Sequence, residues 1–235
     1  MPTVLITGAN RGIGLELSRQ YAAPGWRVIA ACRAPDAATE LHQLADQADV
    51  QVMALDVASG ASIGALHDVL VGAAIDVLIN NAGLFGPKPG AEQDFGQMFG
   101  SIRYDVLEEV WRTNTLGPLR LSEALIDNVV AGEQRKVVTI SSGIASIANT
   151  EGGLYAYRSS KAAVNMVMAS LAKDLAPRGI HTLALCPGWT RTRMGGPDAP
   201  VPVANSVAGI RARIAELDAS MSGQFRLYDG SLLPW

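Results

Sequence analysis

Short runs of apolar, often β-branched residues alternate with stretches of helical periodicity along most of the sequence, and this alternation constrains the fold most. The runs with strand composition are Val4 to Ile6, Arg27 to Cys32, Val50 to Leu55, Asp76 to Ile79, Lys136 to Ile140, Ile180 to Leu185 and Gln224 to Leu227. The segments between them are long enough to hold helices, as a crossover between parallel strands requires. The pattern predicts an α/β fold, with a doubly wound parallel sheet of about seven strands and helices on both faces.

The size and composition of the chain favour one folded domain. Single cores usually stop growing beyond roughly 250 residues, so we expect one domain over residues 1–235. Hydrophobic residues make up 49% and charged residues 17% of the sequence, which is the opposite of the balance in disordered chains. The apolar runs are shorter than the ~18 residues that cross a bilayer, so we predict no membrane segment.

Charge and cysteine content argue against several kinds of partner and site. The sequence has 19 basic and 22 acidic residues, a net charge of −3, and so lacks the positive charge that nucleic-acid binding requires. Met1-Pro2-Thr3 leads into an apolar run without the basic region of a secretory signal, which predicts a cytoplasmic location. Cys32 and Cys186 lack metal-ligand spacing, and we expect reduced, packed thiols and no metal site.

Three irregular segments follow ends of predicted strands. They are rich in glycine, proline or small polar residues and run from Asn81 to Arg103, from Ser141 to Gly153 and from Pro187 to Pro202. Ligands of open parallel sheets bind at the carboxyl edge of the strands. The sequence therefore predicts a functional site where these three segments meet.

The turn after the first strand, Thr7 to Gly14, has the spacing Gly-x-x-x-Gly-x-Gly. Because glycine has no side chain, the backbone of such a turn can approach a pyrophosphate at the N-terminus of the next helix. The residues predicted to bind a dinucleotide here are Gly8, Asn10, Arg11, Gly12, Ile13 and Gly14. The alternative is a glycine-rich turn without a ligand, which its position between the first strand and the first helix disfavours.

The end of the second strand indicates which dinucleotide fits. Enzymes that use NAD usually carry an acidic residue there, which accepts hydrogen bonds from the 2′-hydroxyl of the ribose. This chain has Cys32 and Arg33 instead, and a guanidinium suits a 2′-phosphate. With Arg11 on the same side of the crevice, the sequence favours NADP(H) as cofactor. The alternative for Arg33 is a solvated residue at the start of a helix.

Asp56 and Val57 follow the third strand. A side-chain acceptor at this point can meet the adenine amino group, so both residues are predicted to contact the cofactor. Asp56 can equally cap the next helix, and the sequence leaves these alternatives open.

Lys161 lies four positions after Tyr157, and this i, i+4 spacing places a phenol and an ammonium on one face of a helix. A nearby cation lowers the pKa of a tyrosine from about 10 and favours its use in acid–base chemistry. A carbonyl that is reduced gains a hydride on carbon and a proton on oxygen. Tyr157 can supply that proton, and Lys161 can lower the pKa of Tyr157 and bind the nicotinamide ribose.

These features together resemble the short-chain dehydrogenase/reductase family. That family carries Thr-Gly-x-x-x-Gly-x-Gly, then Asn-Asn-Ala-Gly after the fourth strand, then Tyr-x-x-x-Lys on a late helix. This chain has all three in that order, at Thr7 to Gly14, Asn80 to Gly83 and Tyr157 to Lys161. The resemblance covers nearly the whole length and implies a single NAD(P)-binding Rossmann domain, with a substrate loop around residues 188–205.

The resemblance also implies roles for further residues. Asn114 matches the asparagine that holds a water in the proton relay, and Ser142 matches the serine that binds the substrate oxygen, with Ser141 as the alternative. The remaining residues that match cofactor-binding positions are Asn80, Ala82, Gly83, Pro187, Gly188, Thr190 and Thr192. Relatives often pack long helices across a two-fold axis, so a homodimer or homotetramer is expected on this basis.

Within the family, the chain resembles the sniffer-like and C-factor-like carbonyl reductases. The residues that carry this likeness lie at Tyr155 to Arg158, Met194 to Pro197, Ser206 to Ile210 and Tyr228 to Trp235. Arg193 departs from the pattern, since an acidic or small residue often precedes the Met-Gly-Gly segment.

Two functions follow from these observations. The first is an NADPH-dependent reductase of a small-molecule ketone, aldehyde or quinone-like carbonyl, with Asn114, Ser142, Tyr157 and Lys161 as catalytic residues. The second is an NADP-binding signalling or scaffold protein without significant turnover. The complete set of four catalytic residues favours the first.

Overall fold

Seven parallel strands form one sheet in the order β3-β2-β1-β4-β5-β6-β7. The structure is a computed structural model that describes residues 1–22, 25–87 and 96–235. The strands are β1 (Thr3–Thr7), β2 (Arg27–Cys32), β3 (Val50–Ala54), β4 (Val77–Asn80), β5 (Lys136–Ile140), β6 (His181–Cys186) and β7 (Gln224–Leu227). This order confirms the predicted doubly wound Rossmann sheet. The strand order reverses between β1 and β4, which leaves a crevice at their carboxyl ends.

Helices cover both faces of the sheet, as predicted. They are α1 (Gly12–Tyr21), α2 (Thr39–Ala45), α3 (Gly60–Leu70), α4 (Tyr104–Trp111), α5 (Gly117–Ala124), α6 (Ile126–Ala131), α7 (Tyr155–Leu175) and α8 (Val203–Glu216). Successive residues of a strand face opposite sides, so Ile6 packs with α1, α2 and α8, whereas Leu5 packs with α3, α5 and α7. Both layers of the core are mainly apolar where they meet the central strands.

The helical segment over residues 104–131 is not one continuous helix. A π-helical turn, Arg112–Leu116, joins α4 to α5, and Leu125 separates α5 from α6. A π-helical turn inserts one extra residue into a helix, which apolar periodicity alone does not reveal.

The helix α8, Val203–Glu216, has a local signal at its start and another beyond its end. It starts directly after Pro202, whose fixed φ suits a helix start. Beyond the helix, the Asp218 carboxylate accepts hydrogen bonds from the backbone N–H groups of Ser220 and Met221 at 2.9 and 3.2 Å. This local turn follows α8 and leads into β7.

None of the helices within the described residues is long and apolar enough to cross a membrane.

Candidate active site

A cleft of about 720 Å³ opens at the carboxyl ends of the central strands. Two of the three irregular segments line it, through residues 81–86 and 192–194, whereas no residue of the segment from Ser141 to Gly153 does. Its volume is within the range of ligand-binding clefts. The predicted cofactor residues that line it are Gly8, Asn10, Arg11, Gly12, Ile13, Arg33, Asp56, Val57, Ala82, Gly83 and Thr192. One connected space therefore joins the glycine turn, the end of β2 and the end of β4.

The glycine turn is shaped by close backbone approaches. Gly8 has φ +63°, and a Cβ there would lie 2.9 Å from the Cα of Ala82. A Cβ on Gly14 would overlap the carbonyl oxygen of Gly8 and the side-chain nitrogen of Asn81. The turn consequently leads into α1 through glycines that leave no room for a Cβ, and such a turn before a helix N-terminus fits the pyrophosphate of a dinucleotide.

Arg11 and Arg33 face the same cleft from different elements. Burial is the main cause that lowers the pKa of Arg11, and repulsion by Arg193 and Arg33 lowers it further. Guanidinium groups that repel one another around a shared space are suited to an anion placed between them. The guanidinium groups of Arg11 and Arg33 fit a dinucleotide that carries an additional phosphate, as NADP(H) does.

Asp56 lines the cleft and does not cap α3. Its Oδ1 accepts a hydrogen bond of 3.0 Å from the Ala58 N–H, within the turn that precedes the helix. Ser59 is the N-cap residue, and its hydroxyl accepts a hydrogen bond from the Ser62 N–H at 3.2 Å. Of the two open alternatives, capping of α3 by Asp56 is wrong, and contact with adenine stays a prediction.

Asn80 belongs to the interior of the sheet, contrary to its predicted place beside the cofactor. Its Nδ2 donates to the hydroxyls of Ser122 and Thr139 at 3.2 and 3.5 Å, and the residue is 2% exposed. As the last residue of β4, its side chain points into the layer beneath the sheet. The next residue, Asn81, lines the cleft instead and donates through Nδ2 to the carbonyl oxygen of Thr7 at 2.8 Å.

Thr7 is a residue that the sequence analysis did not single out for a structural role. Its hydroxyl oxygen accepts hydrogen bonds from the N–H groups of Asn81 and Ala82, at 3.0 and 2.9 Å. These bonds hold the end of β1 against the segment after β4. The threonine that opens the glycine turn therefore fixes the width of the crevice.

The loop after β6 presents Thr192 to the cleft and turns Thr190 away from it. The Thr190 hydroxyl donates to the Pro187 carbonyl oxygen at 2.8 Å, and Thr190 is 4% exposed. Ser206 donates to the same carbonyl at 2.7 Å, which ties the loop to α8. The prediction that Thr190 contacts the cofactor is therefore corrected: this hydroxyl is used within the loop. Pro187 and Gly188, like Gly14, support the cleft without lining it.

Tyr157 and Lys161 lie side by side on α7 and are both buried, at 7% and 4% exposure. The Lys161 Nζ lies 6.0 Å from the centroid of the Tyr157 ring and donates a hydrogen bond of 2.7 Å to the Ile140 carbonyl oxygen. The ring of Phe85, which lines the cleft, packs on Tyr157 with 4.6 Å between centroids. Lys161 thus connects α7 to the end of β5, and the Tyr157 ring lies against the cleft wall.

The pKa of Tyr157 is raised to about 12, chiefly by burial, while a hydrogen bond with the Ser142 side chain lowers it and Cys186 raises it. The prediction that Lys161 lowers this pKa is wrong here, because the ammonium is directed at the Ile140 carbonyl and burial dominates. Burial also lowers the pKa of Lys161 to about 8, with an opposing contribution from Cys186. At neutral pH the Tyr157 phenol is therefore protonated, and the pKa of Lys161 lies only slightly above the pH.

The two candidate serines after β5 face different surroundings. Ser142 affects the Tyr157 phenol through a hydrogen bond. Ser141 is 2% exposed and its hydroxyl donates to the Oδ1 of Asn165 at 2.6 Å. Ser142 is therefore the serine that the geometry associates with the phenol.

Asn114 lies in the π-helical turn, and both its side-chain oxygen and its side-chain nitrogen form hydrogen bonds. Its Oδ1 accepts from the Leu84 N–H at 2.8 Å, and its Nδ2 donates to the Leu84 carbonyl at 2.8 Å and to Ser160 at 3.0 Å. A Cβ on Gly83 would lie 3.5 Å from the Asn114 Oδ1 and 3.6 Å from the Lys161 Nζ. Asn114 and Lys161 therefore flank the same glycine at the floor of the cleft.

Gln97 is a fully buried residue that no sequence motif pointed to. Its Oε1 accepts from the Tyr157 N–H at 3.1 Å, and its Nε2 donates to the carbonyl oxygens of Phe85 and Pro87 at 2.8 and 3.1 Å. The first turn of α7 has no side-chain cap at Leu154, so Gln97 supplies an acceptor for one of its N–H groups. It joins the start of α7 to the cleft wall.

We expect Gln97→Leu to lower the free energy of unfolding by about 1–3 kcal/mol, because it removes the partner of the buried Tyr157 N–H and of two part-buried carbonyl groups. Urea denaturation measures this loss. Gln47→Leu is the matched control, since Gln47 is exposed and should change stability by less than about 0.5 kcal/mol. Equal stabilities of the two variants would contradict a stabilising role for the hydrogen bonds of Gln97.

The chemical capacity of the site follows from these contacts. A protonated phenol, a hydroxyl and a weakly basic amine lie together in an apolar interior, beside a cleft whose backbone and arginines suit a dinucleotide with an extra phosphate. Within the described residues, no group of acidic, histidine or cysteine side chains is arranged to hold a metal ion.

Comparison with known proteins gives consistent results. A family model described as short chain dehydrogenase matches residues 2–200. C-signal from Myxococcus xanthus is 42% identical over 162 residues, which are 68% of this chain and 93% of that protein. The carbonyl reductase Sniffer of D. melanogaster superposes with a TM-score of 0.90 at 32% identity, over the whole of both chains. An NADPH-bound carbonyl reductase from chicken fatty liver superposes with a TM-score of 0.89 at 32% identity, over 100% of this chain and 99% of its own.

Proposed function

Because the chain belongs to the short-chain dehydrogenase family, we propose that it is an NADPH-dependent reductase that converts a ketone, aldehyde or quinone-like carbonyl to an alcohol. The observation that carries this proposal is the grouping of the buried Tyr157 and Lys161 with Ser142, next to Phe85 and Gly83 of the cleft wall. The NADPH-bound chicken carbonyl reductase supports the choice of cofactor and of reaction.

The proposed chemistry assigns one task to each side chain. NADPH, when bound, supplies the hydride for the carbonyl carbon. The Ser142 hydroxyl donates a hydrogen bond to the substrate oxygen, and Tyr157 then gives its proton to that oxygen. A phenol with a pKa of about 12 stays protonated at neutral pH, which suits a proton donor.

Lys161 restores the proton to Tyr157 in this proposal. Its pKa of about 8 lies near the working pH, so it can release and regain a proton at little free-energy cost. An ammonium has three N–H donors, and one of them binds the Ile140 carbonyl. The others suit the hydroxyls of the nicotinamide ribose beside Gly83. We keep Asn114 as the residue that positions the water of the relay.

Arg33 and Arg11 are proposed to select NADPH over NADH. We expect Arg33→Asp to lower kcat/KM for NADPH by about 100-fold or more, because it removes a charge-assisted bond and adds repulsion toward the 2′-phosphate. The same variant should lose much less with NADH. Arg120→Asp, at an exposed position on α5, is the matched control. Steady-state kinetics with both cofactors give the result, and an unchanged preference would contradict the assignment.

The substrate end is proposed to be apolar and to lie within one domain formed by residues 1–235, under the loop 188–205. Phe85 and Met194 line the cleft, and Trp189 in this loop is 61% exposed. Apolar rings around a polar acceptor site favour a hydrophobic carbonyl compound.

A panel of carbonyl compounds, followed by NADPH absorbance and repeated with NADH, tests the proposed function directly. Oxidation of NADPH by at least one hydrophobic ketone, aldehyde or quinone is the expected result. The likeness to C-signal favours a second function, NADP binding for signalling without turnover. Tight NADPH binding with no oxidation across the panel would support that second function and contradict the first.

A further inference from the structure

A second, smaller pocket is formed by the loop after β5, by one side of α7 and by Trp235. Its volume is about 260 Å³, and none of the described residues that line it also lines the cleft. Their side chains carry no charge and are apolar or aromatic, except for the amide of Asn165. The pocket is lined among others by Ala145, Ile147, Ala162, Asn165, Met166 and Trp235.

The walls of this pocket are held in place by contacts with neighbouring elements. The Ala148 N–H donates to the Trp235 carbonyl oxygen at 2.9 Å, which connects Trp235 to the loop after β5. The Trp235 ring stacks on Phe225 of β7, with 5.6 Å between centroids and 23° between planes. Ala145 is buried at the end of a 3₁₀ turn. Fixed elements therefore form the pocket, as is usual for sites of small molecules.

Asn165 brings an unpaired hydrogen-bond donor to this pocket. The residue lines the pocket and is 2% exposed, and its Oδ1 accepts from the Ser141 hydroxyl at 2.6 Å. Among the described residues, no atom accepts a hydrogen bond from its Nδ2. A buried amide donor without a partner destabilises a fold, and a ligand atom that accepts from it removes this cost. The pocket therefore favours a ligand with a hydrogen-bond acceptor.

Volume and surroundings define the rest of the ligand. An apolar cavity of roughly 150 Å³ already holds a benzene ring, so this pocket accommodates one ring with a short substituent. Uncharged walls disfavour an ion, because nothing in them replaces its lost hydration. One free donor matches one acceptor, for which a carbonyl oxygen is suited. These limits describe a small, neutral and largely apolar carbonyl compound.

We propose that the pocket between α7, the loop after β5 and Trp235 is a second binding site, for a small neutral apolar molecule whose carbonyl oxygen accepts a hydrogen bond from the Asn165 Nδ2. Asn165 connects the ligand to Ser141, which directly precedes Ser142 in the chain. This site is separate from the cleft, and ligand binding there does not require that the protein oxidise NADPH.

Methionine methyl groups can report on the pocket and on the cleft in one spectrum. Met166 lines the pocket and Met194 lines the cleft. The full chain, labelled with ¹³C in its methionine methyl groups, is titrated with acetophenone in the absence of reduced cofactor, and NMR spectra are recorded. Spectra of Met166→Leu and Met194→Leu assign the two signals. We expect the Met166 signal to shift and to saturate, which gives a Kd for the pocket.

A larger side chain in the pocket provides the first comparison. Ala162→Leu places additional methyl groups in the space of the ligand, and we expect it to weaken acetophenone binding at Met166 by at least about tenfold. Ala163→Leu is the matched control, because Ala163 is the next residue of α7 and has intermediate exposure but does not line the pocket. Its Kd should stay within about twofold of the wild-type value.

The hydrogen bond is tested by removing both partners of the Asn165 side-chain oxygen contact. In the double variant Ser141→Ala/Asn165→Leu, neither position keeps a polar side-chain atom that lacks a partner. Ethylbenzene has nearly the shape of acetophenone but no acceptor, so a comparison of the two probes cancels other effects of the substitutions. We expect the double variant to weaken the binding of acetophenone about fivefold relative to that of ethylbenzene.

The same measurements can overturn the proposal. A Met166 signal that neither probe shifts, or an Ala162→Leu variant with wild-type affinity, would exclude a ligand site here. Equal changes for both probes in the double variant would exclude recognition by Asn165. A Met166 response with the same Kd as that of Met194 in every variant would show an effect transmitted from the cleft. A dimer in sedimentation that dissociates in Met166→Glu would assign this surface to a second copy of the chain.

Discussion

Replacing Tyr157 with phenylalanine should lower kcat for carbonyl reduction by about 10²–10⁴-fold, the range expected when a general acid is removed. Phenylalanine keeps the ring that packs on Phe85 at 4.6 Å and removes only the hydroxyl beside Ser142. The Kd for NADP⁺ should therefore stay near the wild-type value. Single-turnover kinetics with a carbonyl compound from the panel, together with NADP⁺ titration, separate the two effects.

The chain offers a matched control two residues away. Tyr155 lies in the same turn of α7 but is 40% exposed, and its ring packs on Phe99, whereas the Tyr157 ring packs on Phe85. Tyr155→Phe should reduce kcat by less than about threefold. If Tyr157→Phe retained turnover within a few-fold of the wild type, the phenol would not be the proton donor.

Replacing Lys161 with methionine should abolish most of the activity without loss of stability at neutral pH. The variant cannot return a proton to Tyr157, and we expect kcat to fall by at least about 100-fold. Methionine has nearly the same length and fills the buried space, while the desolvation of a buried cation disappears. The lost hydrogen bond to the Ile140 carbonyl offsets part of this gain.

The pH dependence of stability provides a signature for Lys161. Its ordinary pKa of 10.5 applies in the unfolded chain, whereas burial lowers the pKa to about 8 in the fold. Between these values the unfolded chain binds more protons, so Lys161 makes the free energy of unfolding rise with pH from about 8 to 10.5. Below pH 8 both states are protonated and the burial of the charge opposes folding in full.

Urea denaturation at pH 7 and at pH 9.5 measures this contribution. The stability difference between the two pH values should be smaller in Lys161→Met than in the wild type. Lys173→Met, in the last turn of the same helix, removes an exposed lysine and should leave the difference unchanged. A wild-type profile that is reproduced by Lys161→Met would mean that Lys161 titrates normally in the fold.

The sheet and the glycine turn were predictable because each has a local cause in the sequence. Alternation of β-branched runs with helical spacers dictates parallel strands, and a glycine such as Gly8 marks a place where no side chain fits. Asn80 shows the limit of motif matching. A motif identifies a segment that lies at the site, but strand periodicity decides that Asn81 faces the cleft and Asn80 faces the interior.

The surroundings of Tyr157 and Lys161 could not be predicted from their spacing in the sequence. The spacing of Tyr157 and Lys161 along the helix predicts that they lie close together. It does not predict that the Lys161 ammonium donates to the Ile140 carbonyl at the end of β5, or that burial raises the pKa of Tyr157. Gln97 reaches the start of α7 from a distant part of the chain. Long-range contacts of this kind depend on the packed structure and leave no periodic or motif signal.

The π-helical turn at residues 112–116 rotates α5 about the helix axis relative to α4, compared with one uninterrupted α-helix. One residue turns an α-helix by about 100°, so the extra residue changes which sides of α4 and α5 face the core. Deleting a single residue there would restore uniform winding and rotate one half against the other. The segment would stay helical, but Asn114 would lose its alignment with Leu84 and Ser160. Length, as much as residue identity, is therefore under constraint at this point of the chain.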